Sequence, residues 1–593
     1  MHEFTVWAPK AKKIAVAIGD SRYPMSGPNR KGYWSVSIEE AEAGTDYAFV
    51  IDDDPKPYPD PRSQWQPIGV HGASRLYDQT AFAWTDNGWK AQPLERAVIY
   101  ELHVGTFTPK GTFDAAIERL DYLAELGVTH VEMMPVAEFP GNRGWGYDGV
   151  SLFAVSDLYG GPDGLKRLVD ACHKRGLAVL LDVVYNHFGP VGNYSGMFGP
   201  YMTGKHRTPW GDAVNFEDGR SDEVRRFFCD NALMWMRDYH VDGLRLDAVH
   251  EFVDRSAAHF LEQLSVEVGQ LSGSLGRRLV LIAESDLNDP RIVTPRADCG
   301  YGMDAQWSDD FHHALFAVLH DAGDAKGYYV DFGSIEDVAK SLTRVFVYDG
   351  GYSHYRMRNH GRPVERLSAH HFLGYIQTHD QVGNRAIGDR LEQIVGIERA
   401  KVAAGLVLTA PFVPMIFQGE EFAASSPFQY FADHEDPAMA KSVRDGRRGE
   451  FAAFGWNPDD IPDPGAKETF ERSKLKWDEV HEGRHEEMLE WYRKLIHLRR
   501  GSASLNDGDL EHVKVEFDEK KRWLTMERGL VKVFCNLGDG PAAFPNADRL
   551  ALLLASHKGV EATTEKVVLP QNTLAILSGE TGGLNRSVQH HLI

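Results

Sequence analysis

Basic residues are the scarcer charge in this 593-residue chain: 64 Lys and Arg stand against 86 Asp and Glu, a formal net charge of -22. Binding to nucleic acid or to an anionic membrane needs a concentrated basic surface, so this balance points away from both and toward a neutral ligand. Cysteine is scarcer still. Cys172, Cys229, Cys299 and Cys535 show no CxxC spacing, which leaves neither a zinc site nor a disulfide framework and fits a reducing compartment. Long apolar runs are missing too: the longest, Val402 to Phe417, is broken by Pro411 and Pro414 and is short for a bilayer span. The first residues, MHEFTVWAPK, lack the basic and apolar regions of a signal peptide, so a cytoplasmic location is expected. No GxxxxGK[ST] cradle and no GxGxxG after a strand is present, so nucleotide chemistry has no anchor.

What is present is ordinary globular material, 42% hydrophobic and 25% charged, in a chain long enough for several domains or one large barrel with attachments. Short alternating runs such as FTVWAP, KIAVAI, YWSVSI and YAFVID occupy residues 1–93; they predict an N-terminal β-sandwich, immunoglobulin-like in kind. After about Gly501 a second all-β text, with VKVEF, RWLTMER, LVKVFCNL and LALLLA, predicts a C-terminal β-domain over 501–593 with a polar tail from about Gly579. Between them, residues 94–500 alternate strand-like and helical patterns. The strands are expected at 98–104, 128–136, 178–187, 243–249, 279–285, 302–307, 372–380 and 414–421, with helices such as Phe113–Leu126, Asp163–Arg175, Asp222–Tyr239 and Ala257–Gly269 between them. Eight such units predict an α/β fold, a closed (β/α)8 TIM-type barrel, with an open doubly wound sheet as the alternative.

Each of these strands is apolar until its C-terminal end, where chemistry begins: Asp182, Asn186 and His187; Arg245 and Asp247; Glu284; His379 and Asp380. In VDGLRLDAVH (241–250), period-two alternation puts Arg245 and Asp247 on one face and Leu244 and Leu246 on the other. A charged pair on a buried strand must be paired, solvated or functional. One strand-end carboxylate reads as a helix cap; Asp247, Glu284 and Asp380 at equivalent ends of three strands would converge on one mouth of a barrel, where such enzymes carry their sites. Converging carboxylates with no metal motif suit glycoside cleavage, in which one attacks the anomeric carbon and a protonated one serves the leaving oxygen.

DVVYNH (182–187), GLRLDAVH (243–250), IAES (282–285) and QTHDQ (377–381) resemble, in order, the four signature regions of the α-amylase family of glycoside hydrolases, glycoside hydrolase family 13. The resemblance covers roughly 94–500, and the flanking β-domains fit the family's layout. It implies Asp247 as nucleophile, Glu284 as general acid/base, and Asp380 as a holder of sugar hydroxyls. Arg245 would sit beside the nucleophile and help keep it ionised, with Asp182 orienting Arg245 or its neighbours. His187, His379 and Tyr147 of GWGYDGV would contact the sugar at the cleavage point, and His250 and Glu251 are counted with the substrate-binding set. No cofactor is implied. Asn186 matches an amylase calcium ligand, but the usual histidine four residues after the nucleophile is Glu251 here, so no metal is expected.

Four further stretches, ELHVGTFTPKGTF (101–113), MMPVAEFPGNRGWGYDGV (133–150), THDQVGNRA (378–386) and SSPFQYFADHEDP (425–437), resemble the branch of the family that cleaves the α-1,4 bond next to a terminal trehalose unit of an oligoglucan. The trehalose cap would then occupy the leaving-group side, and the segment after the eighth strand, notably Asp433 and His434, is nominated to read it. The alternatives are a glycogen branching enzyme, in which a Glu commonly follows the last Asp where Gln381 stands here, and a catalytically silent glucan-binding scaffold.

Overall fold

The computed structural model describes residues 1–320, 327–453 and 456–579; the tail expected from about Gly579 lies almost wholly outside them. Eight parallel strands close into a barrel: β1 (Ile99–Leu102), β2 (His130–Met133), β3 (Ala178–Val183), β4 (Gly243–Leu246), β5 (Val280–Ala283), β6 (Ala305–Trp307), β7 (Phe372–Gly374) and β8 (Val413–Phe417). They follow one another around the ring in chain order, and β8 pairs back onto β1 through Met415↔Ile99 and Phe417↔Glu101. All eight expected strands are therefore the barrel, and the open sheet is excluded.

Alternation along each strand divides its side chains between two cores. Ile99, Leu180, Val280, Ile282, Trp307, Leu373 and Met415 fill the barrel interior, whereas Leu102, Val131, Val179, Leu181, Leu244 and Leu246 pack outward with the helices. Those helices include Gly161–Lys174, Ser221–Asp238, Phe260–Leu275 and Ile397–Thr409. The pattern over Phe113–Leu126 forms two helices, Phe113–Ile117 and Leu120–Leu126. Thr112 caps the first, an Arg119 N to Ala116 O bond tightens the turn between them, and Gly127, at φ 97°, ends the second.

Several strands are shorter than the apolar text suggests, because backbone donors near the rims are spent elsewhere. Gly302 N and Met303 N bond to Thr294 O and Ile292 O, which leaves only Ala305–Trp307 for β6. After β7, Thr378 accepts from the N–H groups of Asp380 and Gln381 and starts the short helix His379–Gly383. His379 and Asp380 thus stand on a helical turn above β7 rather than on the strand.

The N-terminal region forms two sheets, one pairing His2–Trp7 with Tyr33–Ile38, the other built around Ile14–Ile18 and Asp46–Ile51. It packs on the barrel domain through Trp7 against Tyr201 and Phe49 against Phe198. The C-terminal region carries a five-stranded sheet in which Val513–Asp518, Trp523–Arg528 and Val531–Asn536 run antiparallel. Arg528 ties it to the barrel domain by donating to Thr409 O at 2.8 Å. Among the described residues no helix is long and apolar enough to cross a membrane.

Candidate active site

Arg245 is the hub of the barrel mouth. Asp182 on β3 lies beside Arg245 on β4 in the strand register, and its Oδ2 accepts from Arg245 Nη1 at 2.6 Å. The same Nη1 donates to Asp247 Oδ1 at 2.9 Å, and Nη2 lies 3.0 Å from Glu284 Oε2. The guanidinium is fully buried and rests 4.3 Å from the centre of the Trp307 ring, so the cation is held by three acidic side chains and one aromatic face. Burial works against its charge, but Asp182, Tyr147, Glu284 and Asp247 outweigh it and hold Arg245 well above the ordinary arginine range.

Asp247 stands one residue past β4, and both of its oxygens are engaged: Oδ1 by Arg245 and Oδ2 by Asn186 Nδ2 at 2.9 Å. Ala248, next in the chain, is a non-glycine residue in the left-handed region at φ 40°, a strained conformation of the kind that clusters at functional sites. It turns its N–H onto Glu284 Oε2 at 2.6 Å. Glu284 is held well above the ordinary carboxyl range: burial is the largest cause, Arg245 opposes it, and the charges of Asp247 and Asp380 add to it. A carboxyl pushed toward its protonated form therefore stands beside Asp247, whose two oxygens are each held by a donor.

The third wall carries Tyr147, His379 and Asp380. Tyr147 donates to Asp182 Oδ2 at 2.5 Å and lies 2.7 Å from His379 Nε2, which is 3.4 Å from Asp380 Oδ2. Burial lowers the affinity of His379 for its proton, but Asp380 and Glu101 raise its pKa to about 9. His187 stacks on Trp210 with ring centres 4.7 Å apart and is lowered by burial. Gly146, at φ 102°, precedes Tyr147; a Cβ there would lie 2.1 Å from Pro135 O, so only glycine permits this approach.

Two recesses open from these walls. One, of about 220 Å³, is lined by Trp145, Tyr147, His187, Trp210, Asp247 and His379 with Tyr430 and Phe431 behind them. The other, of about 860 Å³, is lined by Glu284, His250, Asp286, Asp309, Arg356 and Asn384 among others. Asp380 belongs to both. The structure therefore brings together Asp247, Glu284, Asp380, Arg245, Tyr147, His187 and His379, with His250 on the wider side.

Glu251, Asp433 and His434 line neither recess. Asp433 pairs with Arg143 at 2.9 Å and accepts from Asn142 N at 2.8 Å, a latch on the loop that leads to Tyr147. Its neighbours Tyr430 and Phe431 border the Asp247 recess. Asn186 Oδ1, the oxygen a cation would take, faces His187 Nδ1 at 2.9 Å, and among the described residues no group of three His, Cys, Asp or Glu is arranged to hold a metal. Sequence reading missed Trp307, Trp210 and Glu101. Glu101 alone carried a signal, as a charged residue inside the otherwise apolar VIYELHV.

The alpha amylase catalytic domain profile matches residues 76–196, and that of a domain of unknown function, DUF3459, matches 508–576. The malto-oligosyltrehalose trehalohydrolase of Mycobacterium tuberculosis is 48% identical over 97% of this chain and 99% of its own. That of Saccharolobus solfataricus is 45% identical over 88% of this chain and 89% of its own. The chain belongs to the malto-oligosyltrehalose trehalohydrolase family, a branch of the α-amylase family. A crystal structure from Salmonella typhimurium, described as that of an alpha amylase, superposes with a TM-score of 0.88 at 36% identity, covering 97% of both chains. A branching enzyme from Corynebacterium jeikeium is 32% identical but spans only 52% of this chain and 48% of its own. Full-length similarity to one family and partial similarity to the other decide between the two enzymes named by the sequence.

Proposed function

We propose that the chain hydrolyses the α-1,4-glucosidic bond adjoining the terminal trehalose of a maltooligosyltrehalose, releasing trehalose and a shortened maltooligosaccharide by a retaining double displacement. Membership of the family supports the substrate, a step of trehalose biosynthesis. The observation that carries the residue roles is the division of one cleft, with Asp247 in the narrow recess, Glu284 in the wide one and Asp380 shared.

The sugar whose bond is cleaved sits in the narrow recess. Asp247 attacks its anomeric carbon, the bond to the trehalose oxygen breaks, and the Glu284 proton moves to that oxygen. Water then enters from the wide side, gives its proton back to Glu284 and releases the glycosyl group from Asp247. Both carboxyls rest on the two arms of one guanidinium, an adjacency that supports a retaining pair, whose carboxyls stand about 5–5.5 Å apart. Trehalose fills the wide recess, whose wall offers Asp286, Asp309, Arg356 and Asn384 to its hydroxyls; a site built of polar partners discriminates strongly between sugars. A cytoplasmic location fits this reading, since all four cysteines are free thiols and three of them are buried.

The test is product analysis on trehalose-capped maltooligosaccharide, plain maltooligosaccharide and amylose. Free trehalose from the first is expected, and early NMR should show the newly formed reducing end as the α-anomer. New α-1,6 branches from amylose would overturn the substrate reading, and initial β-anomer would overturn the double displacement.

A further inference from the structure

Glu101 on β1 lines neither recess, yet its whole carboxylate is committed to one residue of the site. Oε2 accepts from the backbone N of His379 at 3.0 Å, and Oε1 makes a short contact with Nδ1 of the same imidazole. Both side chains are almost fully buried. The other ring nitrogen, Nε2, faces Tyr147 Oη and Asp380 Oδ2. Tyr147 has one proton. Asp182 Oδ2, already accepting from Arg245, takes that proton as an acceptor, so Tyr147 Oη must itself accept from Nε2. A ring that donates from both nitrogens is an imidazolium.

The groups that face this ring are Glu101 from β1, Glu132 from β2, Asp182 from β3, Arg245 from β4, Tyr147 from the loop after β2, His103 just after β1, and Asp380 beside it. Of these, Glu101 alone contacts Nδ1. We propose that Glu101 is a positioning residue that holds His379 doubly protonated, so that Nε2 keeps a fixed N–H on Tyr147 and a positive charge beside Asp380 and the sugar in the narrow recess. This deepens the reading given above and rests on it for the identity of the sugar. Glu132 supplies the control. It is the register partner of Glu101, equally buried, and neither of its oxygens has a hydrogen-bond partner. Burial first, then the charges of Glu101 and Asp182, keep its proton on, so Gln is close to its isostere.

The experiment is 15N NMR of the full chain labelled in histidine, from pH 6 to 8.5, with His379 assigned by the resonance lost in His379→Gln, alongside the pH dependence of kcat and KM on trehalose-capped maltooligosaccharide. The wild type and Glu132→Gln should keep both ring nitrogens protonated through the range. Glu101→Gln should show a neutral ring by pH 7, a kcat lower by roughly 10- to 100-fold with KM little changed, and a new alkaline break in the kcat profile. A neutral ring in the wild type at pH 7 overturns the proposal, as does a Glu101→Gln protein with the wild-type titration. If Glu101→Gln does not fold, Glu101→Asp, which keeps the charge, decides: it should retain the imidazolium, and loss of it there overturns the proposal. The ring titration needs no substrate, so a wild type that releases no trehalose sinks the substrate reading separately.

Discussion

The two ends of the barrel each bury a charge cluster, and they are built on opposite terms. At the bottom, where the segment after the N-terminal sandwich crosses the barrel, Asp86 accepts from His173 Nδ1 at 2.8 Å and His240 Nδ1 at 2.7 Å. Asp242 accepts from His173 Nε2, Trp89, Arg277 and Val179 N, all within 3.0 Å. Two carboxylates meet three basic side chains, and both Trp89 and Trp84 stack on the histidines. At the mouth, Glu101, Glu132, Asp182, Asp247, Glu284 and Asp380 share Arg245 and His379. Polar atoms there go unpaired, among them Asp182 Oδ1, both Glu132 oxygens and Arg245 Nε. The bottom cluster is neutralised in place and serves the fold. The mouth keeps an excess of carboxyls, as the proposed mechanism requires, since it uses one ionised and one protonated acid side by side.

The contrast breaks most sharply at Asp247. Asp247→Asn should lower kcat on every substrate by roughly 10⁴-fold or more, because the attacking oxygen is gone. Its Tm should not fall below that of the wild type, since Arg245 keeps Asp182 and Glu284 and the crowd of acids is thinned. Kinetics paired with calorimetry checks both parts, and a large loss of stability would mean that Asp247 is a strut.

Glu284→Gln sharpens the division of labour within the mouth. It should lose roughly 10²- to 10⁴-fold on natural substrate, and far less on a glycosyl fluoride whose leaving group needs no proton. Equal losses on both would remove Glu284 from the acid role. In the wild type, Glu284 is an acid only while protonated, so kcat/KM should fall as pH rises through its elevated pKa.

The bottom cluster should answer in the other currency. Asp242→Asn strips the buried partner from His173 and Arg277, a loss of roughly 3–5 kcal/mol, seen as a lower Tm with kcat unchanged at temperatures below the transition. Burial opposes the charge on Asp86 and Asp242, but their basic partners depress both in the fold, so their contribution is present above the ordinary carboxylate range and is lost as pH falls through the depressed values. Burial likewise opposes the charge on His173, which Asp242 and Asp86 raise; its share is full below the ordinary histidine range and is lost as pH rises through the folded value. Asp182 at the mouth runs the other way from the bottom acids, because burial raises it to about 6 and its share is lost as pH rises through that value. Asp242→Asn should flatten the acid side of the Tm profile, and an unaltered profile would show that the network carries no linkage.

Period-two alternation made the barrel legible in the sequence. Leu180 and Asp182 on one face of β3, with Val179 and Leu181 on the other, declare a strand between two cores, and Arg245 and Asp247 repeat the message on β4. Strand-end polarity then exposed the three acids, since nothing else explains carboxylates at three such places. Trp307 was invisible because an aromatic in GMDAQW reads as core, and it is core; only the guanidinium above it makes it part of the site. Trp210 lies on the hairpin Met202–Val214 with no spacing relation to His187, a contact that exists only in three dimensions. Helical turns replaced strand at His379 because Thr378 spends its hydroxyl on two backbone donors, a local choice that hydrophobic pattern does not record.

Asp433 is the smallest lever: the sequence nominates it to read the trehalose cap, and the structure pairs it with Arg143. As a reader of the trehalose cap it would discriminate between substrates; as a latch it would act on both alike. The loop it holds carries Tyr147: Trp145 stacks on Phe428 and donates to Gln429 O at 3.0 Å, Gly144 bridges to Ala432, and Arg143 pairs with Asp433. The Arg143–Asp433 pair is only partly exposed, so its loss should cost about 1 kcal/mol of local order and let Tyr147 drift from Asp182 and His379. Asp433→Ala should therefore lower kcat/KM a few-fold, by the same factor on trehalose-capped and plain maltooligosaccharide, and Arg143→Ala should reproduce it. His434→Ala should leave the ratio of the two substrates unmoved as well, since His434 lines neither recess. A selective loss on the capped substrate in either Asp433→Ala or His434→Ala would return the segment to the leaving-group side and reverse the assignment of the two recesses.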